Sequence, residues 1–321
     1  MDFSKLLQDN NAYTDFKNNY MRGNIGQAYL FTCPDRLTAS EFVLEIAKLL
    51  LCENSCGCGV CANCKKINAK THPDVLIYPK DKAFMVDDAG DIYNKVQIKP
   101  MLANIKVFII NQIDNSTEQA QNKILKIIEE PPENVIFLMT ATNQNKVLPT
   151  ILSRVSKQEI GKINTEDIQK IISDDGEIAK IASICGDGYL GKTLSIINDS
   201  EFVDDYKNVL KMLKNMKKSE QIPQFNAYFS KNKQIFENSL MLLGDFYRDM
   251  LMIKLGCAKL VKHTNLIGDY NTIVTEYSNM ALVNIIRDLN EAKQKMDSNV
   301  NLITLTDNML LKILEVKFLC K

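Results

Sequence analysis

Apolar positions change their period along this chain. Between Gly26 and about Ile160, short β-rich runs alternate with segments whose apolar residues return at helical spacing, an order that predicts a parallel sheet flanked by helices. The predicted strands are Ala28–Thr32, Val75–Tyr78, Lys106–Ile110, Val135–Ala141 and residues 156–160. Between them Phe42, Val43, Ile46, Ala47, Leu49 and Leu50 form a broad apolar stripe, which predicts a helix over 40–51. A further helix is predicted to start at Ser116, where Gln119 three residues on completes a capping box, and to stop at Pro131 and Pro132.

Beyond Ile160 the strand-like runs end. Asn164 or Thr165 can cap a short helix, and Gly176 and Gly186 punctuate two more before about Asn198. From Ser200 the pattern is that of amphipathic helices over 201–217, 233–259, 271–295 and 301–319. Three domains are therefore expected: an α/β domain over 1–161 with a cysteine-rich insertion at about 52–64, a small helical domain over 162–199, and an all-α region over 200–321.

Length and composition fit this division. A chain of 321 residues exceeds what one hydrophobic core serves, and 45% hydrophobic content supports a globular reading. Lys plus Arg and Asp plus Glu both total 39, so the chain has no general basic field for indiscriminate nucleic-acid binding. Any DNA contact has to come from a local patch. Met1 to Asn19 lacks a basic leader followed by an apolar core, and no apolar run approaches the ~18 residues that span a bilayer. A cytoplasmic protein without membrane contact is expected.

The turn after the first strand is where a G-x-x-x-x-G-K-S/T phosphate loop would stand. Here it reads Cys33-Pro34-Asp35-Arg36-Leu37-Thr38-Ala39-Ser40. Both glycines and the lysine are missing, which removes the close backbone approach to phosphate and the charge that pairs with its oxygens. Only Ser40 remains, in a position to begin the helix, and Asp35 would repel a phosphate. After the strand Lys106–Ile110 come Asn111 and Gln112, where such ATPases place acids that hold magnesium and orient water. Amides are poor substitutes for a hard dication.

Five of the nine cysteines fall between Cys52 and Cys64. Cys52, Cys58, Cys61 and Cys64 have the spacing C-x5-C-x2-C-x2-C, which can present four thiolates to one tetrahedral ion. Soft thiolates favour zinc, and four of them close its shell, so the site predicted is structural. Cys56 can replace Cys52 or Cys58 in the quartet, and a set of reduced surface cysteines is the plainer alternative. Cys33, Cys185, Cys257 and Cys320 read as buried small apolar residues.

Lys207, Lys211, Lys214 and Lys218 share one helical face, read as solvated, with DNA or partner contact as the sharper alternative. His72, beside Pro73, is expected to shape a turn. His263 has no nucleophilic partner discernible from the sequence.

Several patches occur together in an order that resembles the bacterial clamp-loader subunits, AAA+ proteins, and among them the delta-prime type of DNA polymerase III. They are Gln27 to Phe31, the cysteine insertion, His72-Pro73-Asp74, Lys106 to Ile110, Lys123 to Pro132 and Leu152-Ser153-Arg154. The likeness is strong over about 24–160 and weaker beyond, where Gly188 to Leu194 and Phe246 to Leu251 resemble lid and collar patches. It implies a P-loop-type (AAA+) α/β domain, a lid and an oligomerising collar. It also implies a hetero-oligomer with delta and gamma/tau subunits that uses ATP to open a sliding clamp and place it on primer-template DNA, within a DNA polymerase III holoenzyme that has nucleotidyltransferase activity. Delta-prime types commonly lack a working ATP site, so no ATP is expected on this chain. ATPase relatives tend to carry an arginine at the position of Gly191. The resemblance favours Cys52, Cys58, Cys61 and Cys64 as the metal ligands, and it implies that Arg154, in a Ser-Arg-Cys motif whose cysteine is here Val155, projects as a finger into a neighbour's ATP site. Without it, Arg154 reads as a surface arginine contacting helix-end carbonyls or an acid.

Three readings follow: a noncatalytic subunit of such a machine, with no enzyme activity of its own; an active gamma/tau-like ATPase subunit; and a zinc-dependent nucleic-acid binder. The missing loop residues weigh against the second. Against the third weighs the lack of basic bias and interleaved aromatics.

Overall fold

The computed structural model describes residues 3–80, 83–172, 176–296 and 300–319. These form two compact units, one of residues up to Ile172 with Gly186–Ser195, the other of Gly176–Cys185 with the chain from Ile196 onward.

The first unit opens with α1 (Ser4–Gln8) and α2 (Asn11–Met21). There follow β1 (Ala28–Thr32), α3 (Arg36–Leu51), α4 (Ala62–Asn68), β2 (Val75–Tyr78), α5 (Val86–Val96), β3 (Lys106–Ile110), α6 (Glu118–Glu129), β4 (Val135–Ala141), α7 (Pro149–Leu152), β5 (Ser156–Glu159) and α8 (Thr165–Ile172). After α9 (Glu177–Cys185), which belongs to the second unit, most of α10 (Leu190–Ile197) returns to the first. The five strands make one parallel sheet in the order β2-β3-β4-β1-β5. Every residue of β3 and β4 is buried, as expected of inner parallel strands covered on both faces. At the edge, β5 reads Ser-Lys-Gln-Glu and is mostly exposed. The α/β order read from the hydrophobic pattern is the observed one.

Two helix starts differ from expectation. α3 begins at Arg36, because Asp35 is its N-cap and accepts from the Thr38 N–H at 2.8 Å. Ser40 therefore lies inside the helix, its Oγ bonded to Leu37 O. The exposed Arg36 and Leu37 break the apolar stripe, which hid this turn from the pattern. At α6 the cap is Thr117, which accepts from Ala120 N, and the box expected from Ser116 and Gln119 does not form. Ser116 Oγ instead closes a 3-10 turn by bonding Ile113 O.

One loop of this unit is tied to a buried carboxylate. Asp74, fully buried, accepts from the backbone N–H of Met101 (2.6 Å), Leu102 (2.7 Å) and Ala103 (2.9 Å). Burial alone would raise this carboxyl, but the three donors outweigh it and hold it below the ordinary carboxylate range.

The second unit holds α9, α11 (Phe202–Asn215), α12 (Ile222–Phe229), α13 (Lys233–Lys254), α14 (Ile267–Ile273), α15 (Asn279–Met296) and α16 (Leu302–Leu319). Its core gathers α13 residues Leu242, Leu243, Phe246, Tyr247 and Met250 with Leu282 and Ile285 of α15 and Leu310 of α16. The helix read over 233–259 stops at Lys254. Gly256, at φ +75°, and Cys257 donate to Ile253 O and Met252 O, a C-terminal cap that a left-handed glycine permits. The helix read over 271–295 is instead α14, a 3-10 turn at Val274–Glu276, and α15. Among the described residues no helix is long and apolar enough to cross a membrane.

Candidate functional site

The window Cys33 to Ser40 retains the strand, turn and helix of a phosphate loop, but an internal carboxylate occupies its focus. Asp35 Oδ2 accepts from Thr38 N (2.8 Å), Thr38 Oγ1 (2.5 Å) and Gly191 N (2.9 Å). Thr38 Oγ1 in turn accepts from Leu190 N at 2.9 Å. The N-terminal turns of α3 and α10 thus both direct backbone N–H groups at Asp35 and Thr38. Helix N-termini bind anions, and here the anion comes from the chain itself. Gly191 leaves room for this approach: a Cβ there would lie 2.7 Å from Asp35 Oδ2, so the carboxylate would have to shift. Cys33, Thr38 and Ala39 are buried, and burial pushes the Cys33 thiol up to about 11.

Asn111 and Gln112 stand at the end of β3, where Gln112 takes a left-handed φ of 55° and its N–H donates to Thr140 Oγ1 at 2.9 Å. With Ser40, Lys70, Pro79, Ala83 and Asn115 they line an open cleft of about 250 Å³. Among the described residues the lining holds amides and one lysine but no carboxylate. The nearby Asp114 is engaged, its Oδ2 accepting from Thr142 N, Thr142 Oγ1 and Asn143 N.

The structure brings four cysteines together. The Sγ atoms of Cys52, Cys58, Cys61 and Cys64 all lie within 4.8 Å of one another, and those of Cys52 and Cys61 are 4.0 Å apart. Tetrahedral zinc with Zn–S bonds of ~2.3 Å requires sulfurs about 3.8 Å apart, so the donor set fits. Backbone N–H groups of Cys58, Cys61 and Cys64 each point at the preceding quartet sulfur at 3.4 Å. At Cys52 burial opposes ionisation, but backbone donors including Cys58, Cys56 and Asn54 prevail and lower the thiol to about 6. Cys61 is also lowered, whereas burial pushes Cys64 up. A bound cation would remove that conflict by holding all four as thiolates. Cys56 is exposed and outside the cluster. Gly57, at φ +66°, turns the chain against Tyr13, whose hydroxyl a Cβ would meet at 2.8 Å. Gln8 ties this knuckle inward, donating to Gly57 O and to Glu45, which pairs with buried Lys48.

Arg154 follows α7 and is 39% exposed. Its Nη1 donates to Thr150 O and Ser153 Oγ, and its Nη2 pairs with Glu129 Oε1 at 2.9 Å. Both contacts of the plain reading, a helix-end carbonyl and an acid, are present, and the side chain remains accessible.

Other sequence candidates fall into place without forming a site. Lys207 and Lys214 pair with Glu177 and Asp269, while Lys211 and Lys218 are exposed. His72 Nδ1 accepts from Asp74 N, shaping the turn into β2. Cys185 is buried, but Cys257 is exposed, beyond the end of α13, contrary to its reading as buried; Cys320 lies outside the described residues. His263 has partners that the sequence concealed: its Nδ1 is 3.1 Å from Asp249 Oδ2 and its Nε2 is 3.6 Å from Cys185 Sγ. These three residues come from positions 78 and 14 apart, so no local spacing announces them. All three are wholly buried, which makes them a core hydrogen-bond chain with no access for a substrate.

Comparison with known proteins agrees on one family. The family model described as DNA polymerase III, delta subunit, matches residues 8–178. DNA polymerase III subunit delta' of Bacillus subtilis (strain 168) is 22% identical over 311 residues, 93% of this chain and 94% of that protein. DNA polymerase III subunit tau of Escherichia coli (strain K12) is 30% identical over 170 residues, 52% of this chain, of which the chain spans only 26% of the relative's length. A gamma subunit-related protein of Thermotoga maritima aligns in structure with a TM-score of 0.46 at 16% identity, covering 95% of this chain and 99% of that one.

Proposed function

Because the chain belongs to the DNA polymerase III delta subunit family, we propose that it is a noncatalytic, delta-prime-like subunit of a clamp loader. In this role it joins delta and gamma/tau-like partners that load a sliding clamp on primer-template DNA. The observation that carries the reading is the Asp35 carboxylate held between the first turns of α3 and α10. It supplies the negative charge that those N–H groups would otherwise find in a nucleotide phosphate. An incoming phosphate would have to displace it without the help of a loop lysine. Asn111 and Gln112 supply no charge for a magnesium ion, so the failure extends across the pocket.

The chain's chemical contribution is then made elsewhere. Arg154 is accessible, permanently charged and planar, suited to stabilising charge on a transferring phosphoryl group of an adjacent subunit. Cys52, Cys58, Cys61 and Cys64 would hold zinc, whose role is to staple the insertion between α3 and α4. The helical region 200–321 acts as the oligomerising collar in this reading, after a lid over 162–199.

In a complex reconstituted with its cognate partners, Arg154→Ala should lower ATP turnover by roughly 10-fold or more with assembly intact. Unchanged turnover in a fully assembled complex would show that the finger assignment is wrong.

A further inference from the structure

Arg154 is held before any neighbour arrives. Nη1 donates to Thr150 O (2.9 Å) and Ser153 Oγ (3.1 Å), and Nη2 lies 2.9 Å from Glu129 Oε1. Helix stability does not explain this acid. Glu129 is the last residue of α6, where the helix dipole disfavours negative charge, and Glu130 follows it directly. Nor does the ion pair stabilise the fold appreciably, since both side chains are 39% exposed.

We infer that Glu129 is a positioning residue, which with Thr150 and Ser153 fixes the plane of the Arg154 guanidinium for contact with a phosphate on a neighbouring subunit. The inference rests on the proposed trans role of Arg154. An unrestrained arginine loses rotamer freedom when it engages phosphate, and ordering it beforehand removes that cost from the reacting complex. Thr150 and Ser153 hold one terminal nitrogen, and Glu129 holds the other. Without Glu129 the cation persists but its plane can turn about the remaining contacts. The neighbour's affinity for ATP does not depend on that plane, whereas transition-state stabilisation does.

The test is steady-state ATP turnover by the reconstituted complex carrying Glu129→Ala, Glu129→Gln, Arg154→Ala or the Glu129→Ala/Arg154→Ala pair, with assembly verified by light scattering. Arg154→Ala should give the largest loss. Glu129→Ala should lower kcat by about threefold to fivefold at unchanged KM, as expected for misorientation rather than removal of the cation. Glu129→Gln, whose amide oxygen can still accept from Nη2, should recover part of that loss. The double variant should be no slower than Arg154→Ala, since Glu129 acts only through the arginine. If Glu129→Ala matches or exceeds the native kcat while Arg154→Ala is impaired, the positioning role is overturned and the finger stands. Native kcat in the Arg154→Ala complex overturns both.

Discussion

Asp35 and Arg154 are opposite charges in one α/β unit, and they differ in what satisfies them. Asp35 is answered by its own chain, through two backbone N–H groups and a hydroxyl contributed by α3 and α10. Arg154 is answered by one half-exposed acid and by oxygens of its own turn. Backbone donors are fixed in direction, so the first charge is tied into the fold at three points. A half-exposed pair leaves the second charge accessible while its plane is held. In the proposed reading, the contrast is between a phosphate cradle filled from within and a cation left for a neighbour's phosphate.

The largest way to sharpen the contrast is Arg154→Lys. A lysine keeps the charge but not the planar fork, so complex turnover should still fall roughly 10-fold while the melting temperature of the chain stays unchanged. The cysteine knuckle offers a stability effect that should leave Arg154 untouched. Cys64→Ser, at a fully buried position of the quartet, should abolish the zinc that the proposed site would hold, as read by elemental analysis. It should remove roughly 4 kcal/mol of stability where free zinc stands a thousandfold above its Kd.

Asp74 is a second inwardly answered carboxylate and checks the logic for Asp35. Asp74→Asn should cost about 2 kcal/mol at pH 7, because an amide nitrogen then faces backbone donors. The folded carboxyl is depressed, so its contribution is fully present above about pH 4 and is lost as pH falls through the folded value. Denaturation of native and variant chains between pH 7 and 3 should therefore show their difference shrinking toward acid. Asp35→Ala should cost the least, about 1 kcal/mol for the lost cap, and Asp35→Asn less again. No loss with Asp35→Ala would break the claim that this carboxylate joins the two helix starts.

The sheet was legible because buried parallel strands leave continuous apolar runs, as in Lys106–Ile110 and Val135–Ala141. The cysteine quartet was legible because its ligands are local in sequence, and the structure brings the same four together. Asp35 was only half legible. Its spacing to Thr38 is that of an N-cap, a signal present in the sequence, whereas its charge alone implies only repulsion of a phosphate. Its partner Gly191 lies 156 positions away and engages through its backbone N–H, which no side-chain pattern reveals. The pairing of Glu129 with Arg154 and the contacts of His263 with Cys185 and Asp249 were hidden for the same reason, since tertiary packing makes them.

The central claim is that this chain keeps the fold of a nucleotide cradle with its own carboxylate in the ligand's place. Calorimetric titration of the intact, zinc-loaded chain with ATP and magnesium tests it most directly. No saturable binding up to millimolar nucleotide is the result predicted. Stoichiometric binding at micromolar ATP would contradict the account.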